Sequence, residues 1–157
     1  MNAVFDCNVY FQAIVSARGA SYACVERVKA GDVTLFVTTY MLDEIRELPA
    51  HRQIAARFPD LTSQRVEDFI ADLLRFATFV PDPPATFRYD RDPDDAHYVD
   101  VALATGAMLV VSNDKDLLDL MNDRNADGLT LRQSHPAFSV VTPPRFLEII
   151  RASAGGA

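Results

Sequence analysis

Asp6, Glu44, Asp95 and Asp114 come from four distant segments of the chain: Asp6 and Asp114 directly follow predicted strands, Asp95 opens a predicted helix, and Glu44 lies in the helix after the second predicted strand. Carboxylates gathered at one place suit a particular chemistry: they hold a hard divalent cation through oxygen, and the cation then faces a phosphate. Other chemistries find less support. His51, His97 and His135 show no ligand spacing and read as structural or surface residues; His97, two residues from Asp95, is expected to point away from it. There is no glycine-rich phosphate loop. Ser16, Ser21, Ser112 and Ser139 lack the strand–turn–helix context of a nucleophilic serine.

The elements that must position these acids alternate between strand and helix. Strands are expected at 3–5, 34–37, 78–80, 108–111 and 139–141, from short β-branched and apolar runs. Helices are expected at 9–15, 22–30, 40–48, 63–76, 94–105, 116–121 and 144–150. Thr62 is a plausible N-cap, Pro49 a stop, Gly106 a C-terminal closure, and Thr142-Pro143 a helix start. Pro81-Asp-Pro-Pro84 reads as a loop rather than a domain linker, because the α/β pattern resumes beyond it. Strands separated by helices imply right-handed crossovers, hence an α/β fold: three layers, α/β/α, around a central, mostly parallel sheet. Such sheets carry their sites at the carboxyl ends of the strands, where Asp6 and Asp114 fall.

Helical phase discriminates among neighbouring acids. In the helix at 94–105, Ala96, Val99, Ala102 and Leu103 form the expected buried stripe, with Asp95 at its margin and Asp94 and Asp100 facing solvent. In the helix at 40–48, Met41, Leu42, Ile45 and Leu48 face inward, Glu44 borders that face, and Asp43 and Glu47 point out. Singly, each acid has a simpler reading. Asp94 or Asp95 could be a helix N-cap, Asp114 or Asp116 a turn or cap residue, Asp6 an Asx-turn residue and Glu44 a solvated helix residue. It is the set, in this order at these strand ends, that favours a shared site.

Composition sets outer bounds. A chain of 157 residues that is 49% hydrophobic can bury a core, and one domain over 1–152 with a disordered tail at 153–157 is expected. Apolar runs such as Ala107-Met-Leu-Val-Val111 are too short to span a bilayer, and the first residues carry no signal-peptide pattern, so a cytoplasmic, non-membrane protein is expected. Cys7 and Cys24 follow no metal spacing and read as small buried residues. A formal net charge of −7 argues against broad electrostatic binding of nucleic acid, but a metal held by the acids could supply the positive charge locally.

Several segments together resemble the PIN-domain family, in particular its bacterial, VapC-like branch of toxin components. They are Val4-Phe-Asp6-Cys-Asn8-Val, Thr39-Tyr-Met-Leu-Asp-Glu44-Ile, and Asp92-Pro-Asp-Asp95 followed by Val99-Asp-Val-Ala-Leu-Ala104. Leu109-Val-Val-Ser-Asn-Asp114-Lys-Asp116-Leu-Leu118 and Val141-Thr-Pro-Pro-Arg-Phe-Leu147 complete the likeness. The resemblance implies a PIN-like fold whose acidic quartet falls on Asp6, Glu44, Asp95 and Asp114. Asp116 matches an additional acid near the site, and Asn8, Thr39 and Ser112 match small polar supports. Cys7, Ala96 and Ser112 depart mildly from the common pattern and leave the quartet complete. The implied activity is ribonuclease action dependent on Mg²⁺ or Mn²⁺: the acids hold the ion and water attacks an RNA phosphodiester. The implied partners are an RNA substrate, a cognate antitoxin over the acidic edge, and a second copy in a homodimer.

Two α/β rivals are weaker. A phosphatase of the haloacid dehalogenase type needs an Asp two residues after the first, where this chain has Asn8; a receiver domain needs an acidic pair before its phosphoacceptor, where Asn2-Ala-Val-Phe5 stands. The alternative of another class is a non-catalytic RNA- or protein-binding module on the same fold.

Overall fold

A computed structural model describes residues 1–155. Among them, strands β1 (Asn2–Phe5), β2 (Thr34–Val37), β3 (Thr78–Phe79), β4 (Leu109–Val111) and β5 (Ser139–Val141) form one sheet in the order β3-β2-β1-β4-β5. Every neighbouring pair is parallel, with Ala3 opposite both Leu35 and Leu109, and Val110 opposite Val140. The sheet is therefore wholly parallel, a stricter case of the expected mostly parallel one. Helices α1 (Cys7–Val15), α2 (Ala20–Lys29), α3 (Thr39–Glu47), α4 (Arg52–Arg57) and α5 (Ser63–Leu73) precede β3, with a single 3₁₀ turn at Leu48–Ala50. Helix α6 (Ala96–Thr105) leads to β4, α7 (Lys115–Asp119) and α8 (Ala126–Ser134) lie before β5, and α9 (Pro143–Gly155) follows it.

The alternation of side chains along the strands builds the two outer layers. Ala3, Phe5, Leu35, Val37, Leu109 and Val111 face one core, with α1, α2, α3, α5 and α9 against it. Val4, Val110 and Val140 face the other, covered mainly by α6, α7 and α8. The chain winds outward from β1 to β3 and then returns to the opposite side of β1 at β4. That reversal opens a crevice at the carboxyl ends of β1 and β4, the usual ligand position in open parallel sheets.

Several expectations need correction. Helices α4 and α8 were not expected; α4 buries no residue fully, so its apolar periodicity is weak. Leu74 ends α5 and Phe76 lies beyond it, exposed. The tail expected to be disordered from 153 instead continues α9 through Ser153, Ala154 and Gly155, with Ser153 Oγ donating to the Ile149 carbonyl at 3.0 Å. Residues 156 and 157 lie outside the described residues.

Asp100 is the informative error. Helical phase sends it to solvent, yet it is 4% exposed. Helix α6 is buried nearly all round, because the irregular segment before it covers the face turned away from the sheet: Phe87 and Tyr89 pack into the same core as Val99 and Val101. One carboxylate oxygen of Asp100 accepts hydrogen bonds from Thr86 N (3.1 Å), Thr86 Oγ1 (2.6 Å) and Phe87 N (2.8 Å). Asp100→Ala, which strands these donors in a covered position, is expected to cost roughly 3 kcal/mol of folding stability. Urea denaturation measures it, and a loss within about 0.5 kcal/mol, the usual surface effect, would return Asp100 to the solvent-facing class.

Candidate functional site

Three of the four acids occupy the N-cap positions of helices: Asp6 before α1, Asp95 before α6 and Asp114 before α7. Helix N-termini favour negative charge, so the fold supplies partial positive charge where its acids meet. Only Asp114 behaves as a simple cap, its Oδ1 accepting from Asp116 N at 2.6 Å. Asp6 makes no cap bond. Its Oδ2 instead accepts from Asn8 Nδ2 and Ser112 Oγ, both at 2.5 Å, and it is 5% exposed. Ser112 Oγ in turn accepts from Asp114 N at 2.8 Å, and Asn8 Oδ1 accepts from Asn113 N at 3.1 Å. Asn8 and Ser112 thus bind the end of β1 to the loop after β4.

Asp95 departs further from the cap reading. Its backbone is already helical, its side chain caps nothing, and its buried Oδ2 has no hydrogen-bond partner. A buried acceptor left unpaired is costly unless something else meets it. Glu44 is half-buried on α3, and Tyr98 donates its hydroxyl hydrogen to Glu44 Oε2 while accepting from Cys7 N at 3.1 Å. Asp116 sits at the outer side, its Oδ1 paired with Arg91 Nε at 2.6 Å.

The threonine expected to support the acids has a differently placed neighbour. Thr39 is exposed, whereas Thr38 is fully buried, caps α3 through Met41 N and lies 2.8 Å from His97 Nε2. Sequence also overlooked Tyr98, Tyr89 and Arg91. Tyr98 stands three residues after Asp95 on the same helix face, so helical spacing could have indicated it. Arg91 lies in an irregular segment, where no periodicity points anywhere.

Electrostatics ties the acids together. Asp95 is pushed up to about 8, first by burial and then by Asp6, Asp92, Asp114 and Asp116. Glu44 rises to about 7, again chiefly through burial, with Asp6, Asp94 and Glu47 adding repulsion against the lowering hydrogen bond from Tyr98. Asp6 rises to about 6 through burial, restrained by the hydrogen bonds from Ser112 and near Asn8 and Cys7.

A family model of the PIN domain matches residues 2–116, a span that contains all four acids. The chain belongs to the PIN-domain family. PIN domains are generally nucleases. Among solved structures, the chain is similar to one in the crystal structure of VapBC2 from Rickettsia felis bound to a DNA fragment from their promoter. The two share 12% identity with a TM-score of 0.56, over 90% of this chain and 98% of that one; at this identity the likeness shows the fold. No curated protein matches. Among the described residues no helix is long and apolar enough to cross a membrane.

In this PIN domain the donor set suits a hard divalent ion: carboxylate oxygens around an unpaired, buried Asp95 Oδ2. As the side chains stand, no three His, Cys, Asp or Glu residues among those described already enclose an ion.

The raised acids make a pH prediction. Unfolded carboxylates titrate near 4, so between about pH 4 and pH 8 the folded chain holds more protons than the unfolded one, and stability falls as pH rises. His97, lowered by burial, acts in the opposite sense only below its ordinary 6.5. Metal-free protein is therefore expected to melt at a lower temperature near pH 8 than near pH 6. Asp95→Asn should flatten that fall and leave the metal-free fold as stable or slightly more stable. Calorimetry showing a rise over this window contradicts the assignment of repelling acids.

Proposed function

We propose that this PIN domain is a ribonuclease that hydrolyses RNA phosphodiesters with Mg²⁺ or Mn²⁺ held by Asp6, Glu44, Asp95 and Asp114, with Asp116 as an additional ligand. The observation that carries the reading is the buried, unpaired Asp95 Oδ2 beside two other acids at the crevice between β1 and β4. A helix cap or a structural ion pair accounts for neither its burial nor its lack of a partner. A divalent ion accounts for both.

The chain's own residues divide the work. Asn8 and Ser112 hold the Asp6 carboxylate through one oxygen and leave the other free of those two donors. Tyr98 donates to Glu44, which would align water or complete the ion's ligands. Helix N-termini at Asp6 and Asp95 favour anionic groups, including a phosphate. The bound ion would supply charge neutralisation at the phosphate and a more acidic water. No side chain is required as a nucleophile.

The likeness to a VapBC2 chain supports the further reading that the protein is the toxin of a toxin–antitoxin pair in the cytoplasm. In that reading it forms a homodimer, and a cognate antitoxin segment lies over the acidic edge. Size-exclusion chromatography with light scattering tests the dimer.

Cleavage of single-stranded RNA is expected in Mn²⁺ or Mg²⁺ and is expected to stop in EDTA. Asp6→Asn, Asp95→Asn, Asp114→Asn and Glu44→Gln should each lower turnover by orders of magnitude, while Asp43→Asn, exposed and paired with Arg46, should be near neutral. Asp100→Asn is not a neutral control, given its buried clamp on Thr86 and Phe87. Ion at 100 times its Kd should stabilise the wild type by about 2.7 kcal/mol, and Asp95→Asn should lose most of that gain. Undiminished cleavage in EDTA would sink the metal reading, and RNA binding without cleavage in Mn²⁺ would favour the non-catalytic module.

A further inference from the structure

Arg91 is a cation at the acidic edge whose placement the ligand set does not explain. It reaches across that edge, with Nε 2.6 Å from Asp116 Oδ1 and Nη1 2.6 Å from Asp119 Oδ2. Among the described residues it is the sole side-chain partner of the Asp116 carboxylate. Asp119 is differently placed, because Asn122 Nδ2 at 3.1 Å and Asn125 Nδ2 at 2.9 Å also donate to it. Asp119 can therefore lose Arg91 and remain hydrogen-bonded. Asp116, one-third exposed, would then meet only water, and its freed carboxylate is open to a cation.

The segment that carries Arg91 is fixed independently of its guanidinium. Asp82 accepts from Tyr40 N, Asp100 holds Thr86 and Phe87, and Tyr89 donates its hydroxyl hydrogen to the Asp116 carbonyl at 2.7 Å. Tyr89 lies two residues before Arg91, so the backbone stays at the edge of the crevice whether or not the ion pairs persist. The Arg91 side chain is itself about half-exposed, with 52% of its surface open. Ion pairs this exposed contribute little to stability and exchange readily. The guanidinium is also the side-chain group best matched to a phosphodiester, which it can grip through two parallel N–H donors.

We propose that Arg91 is the residue that binds the RNA phosphate, held in reserve on Asp116 and Asp119 and released toward the backbone of single-stranded RNA when a divalent cation takes Asp116. The inference rests on the ribonuclease reading and adds to it a substrate contact outside the acidic set. It also accounts for the acidic composition: the attraction for RNA arises locally, and only once the ion is present. In the ion-free protein the same guanidinium neutralises two acids and offers little to a phosphate.

The test measures affinity of full-length protein for a single-stranded RNA oligonucleotide, with Ca²⁺ replacing Mg²⁺ so that binding is read without turnover. Arg91→Ala is expected to weaken binding in Ca²⁺ by about tenfold and to lower the slope of log K against log salt by about one. Arg91→Lys should recover the slope but only part of the affinity, since it keeps the charge and loses the fork. In EDTA the wild type and Arg91→Ala should differ little. Mn²⁺ titration by calorimetry should show tighter ion binding for Arg91→Ala, a readout independent of both RNA and cleavage. Arg27→Ala, which removes an exposed charge paired with Asp32 on the opposite edge of the sheet, serves as the control. Equal losses for Arg27→Ala and Arg91→Ala would reduce the effect to overall charge and overturn the contact. So would wild-type affinity and slope for Arg91→Ala in Ca²⁺. If wild-type protein fails to bind RNA at all, the ribonuclease reading falls and this inference with it, whereas normal wild-type binding indifferent to Arg91 removes only the inference.

Discussion

The carboxylate of Asp6 lies at the point where β1 and β4 part, in surroundings dry enough to raise its proton affinity. Two short hydrogen bonds, from Asn8 and Ser112, converge on one of its oxygens, and Ser112 also receives the backbone N–H of Asp114. This bridge joins the first turn after β1 to the loop after β4, elements more than a hundred residues apart. A sheet ladder alone would bring the two strands together without specifying where their acids point. The bridge specifies it, and the remaining acids are arranged around it.

Gathering carboxylates at the margin of a core is unfavourable, and the fold offsets that cost in several ways. Helix N-termini face the acids, Tyr98 donates to Glu44, and burial raises the proton affinity of Asp6, Glu44 and Asp95, so that fewer full charges confront one another. What remains unsatisfied, above all Asp95 Oδ2, is the part a cation would meet. Strain of this kind concentrates at functional sites because the surrounding structure over-determines it.

Helix α6 supplies much of that surrounding structure. It begins at Asp95, carries Tyr98 to Glu44 and Cys7, and buries Asp100 against the irregular segment that brings Tyr89 and Arg91 to Asp116. One helix therefore links an acid of the site to three separate parts of its support. Its burial on nearly every face is what makes this possible. It is also what defeated the phase argument for Asp100, which assumes that a helix has one apolar stripe against a single neighbour. Phase located Glu44 at the margin of a stripe because α3 presents one, made of Met41, Leu42 and Ile45; Asp95, at the N-cap of α6, is buried with the residues that follow it. Helices α4 and α8 escaped notice for a related reason: short helices with few buried residues carry little periodicity.

The sequence by itself determined the alternation of strands and helices, the wide separation of the acids along the chain and their lodging at strand ends. Those features arise from contacts between near neighbours: side-chain alternation along strands, i to i+4 spacing on helices, the stop at Gly106 and the start at Pro143. Only the tertiary structure decided that β1 lies between β2 and β4, that Asp95 is buried without a partner although it stands at a cap position, that Thr38 is buried and caps α3, and that Arg91 pairs with Asp116. Each of these depends on which surface comes to cover which, over separations of tens of residues. A linear pattern encodes the tendency of a segment to form a strand or a helix, but burial and long-range pairing are properties of the assembled layers.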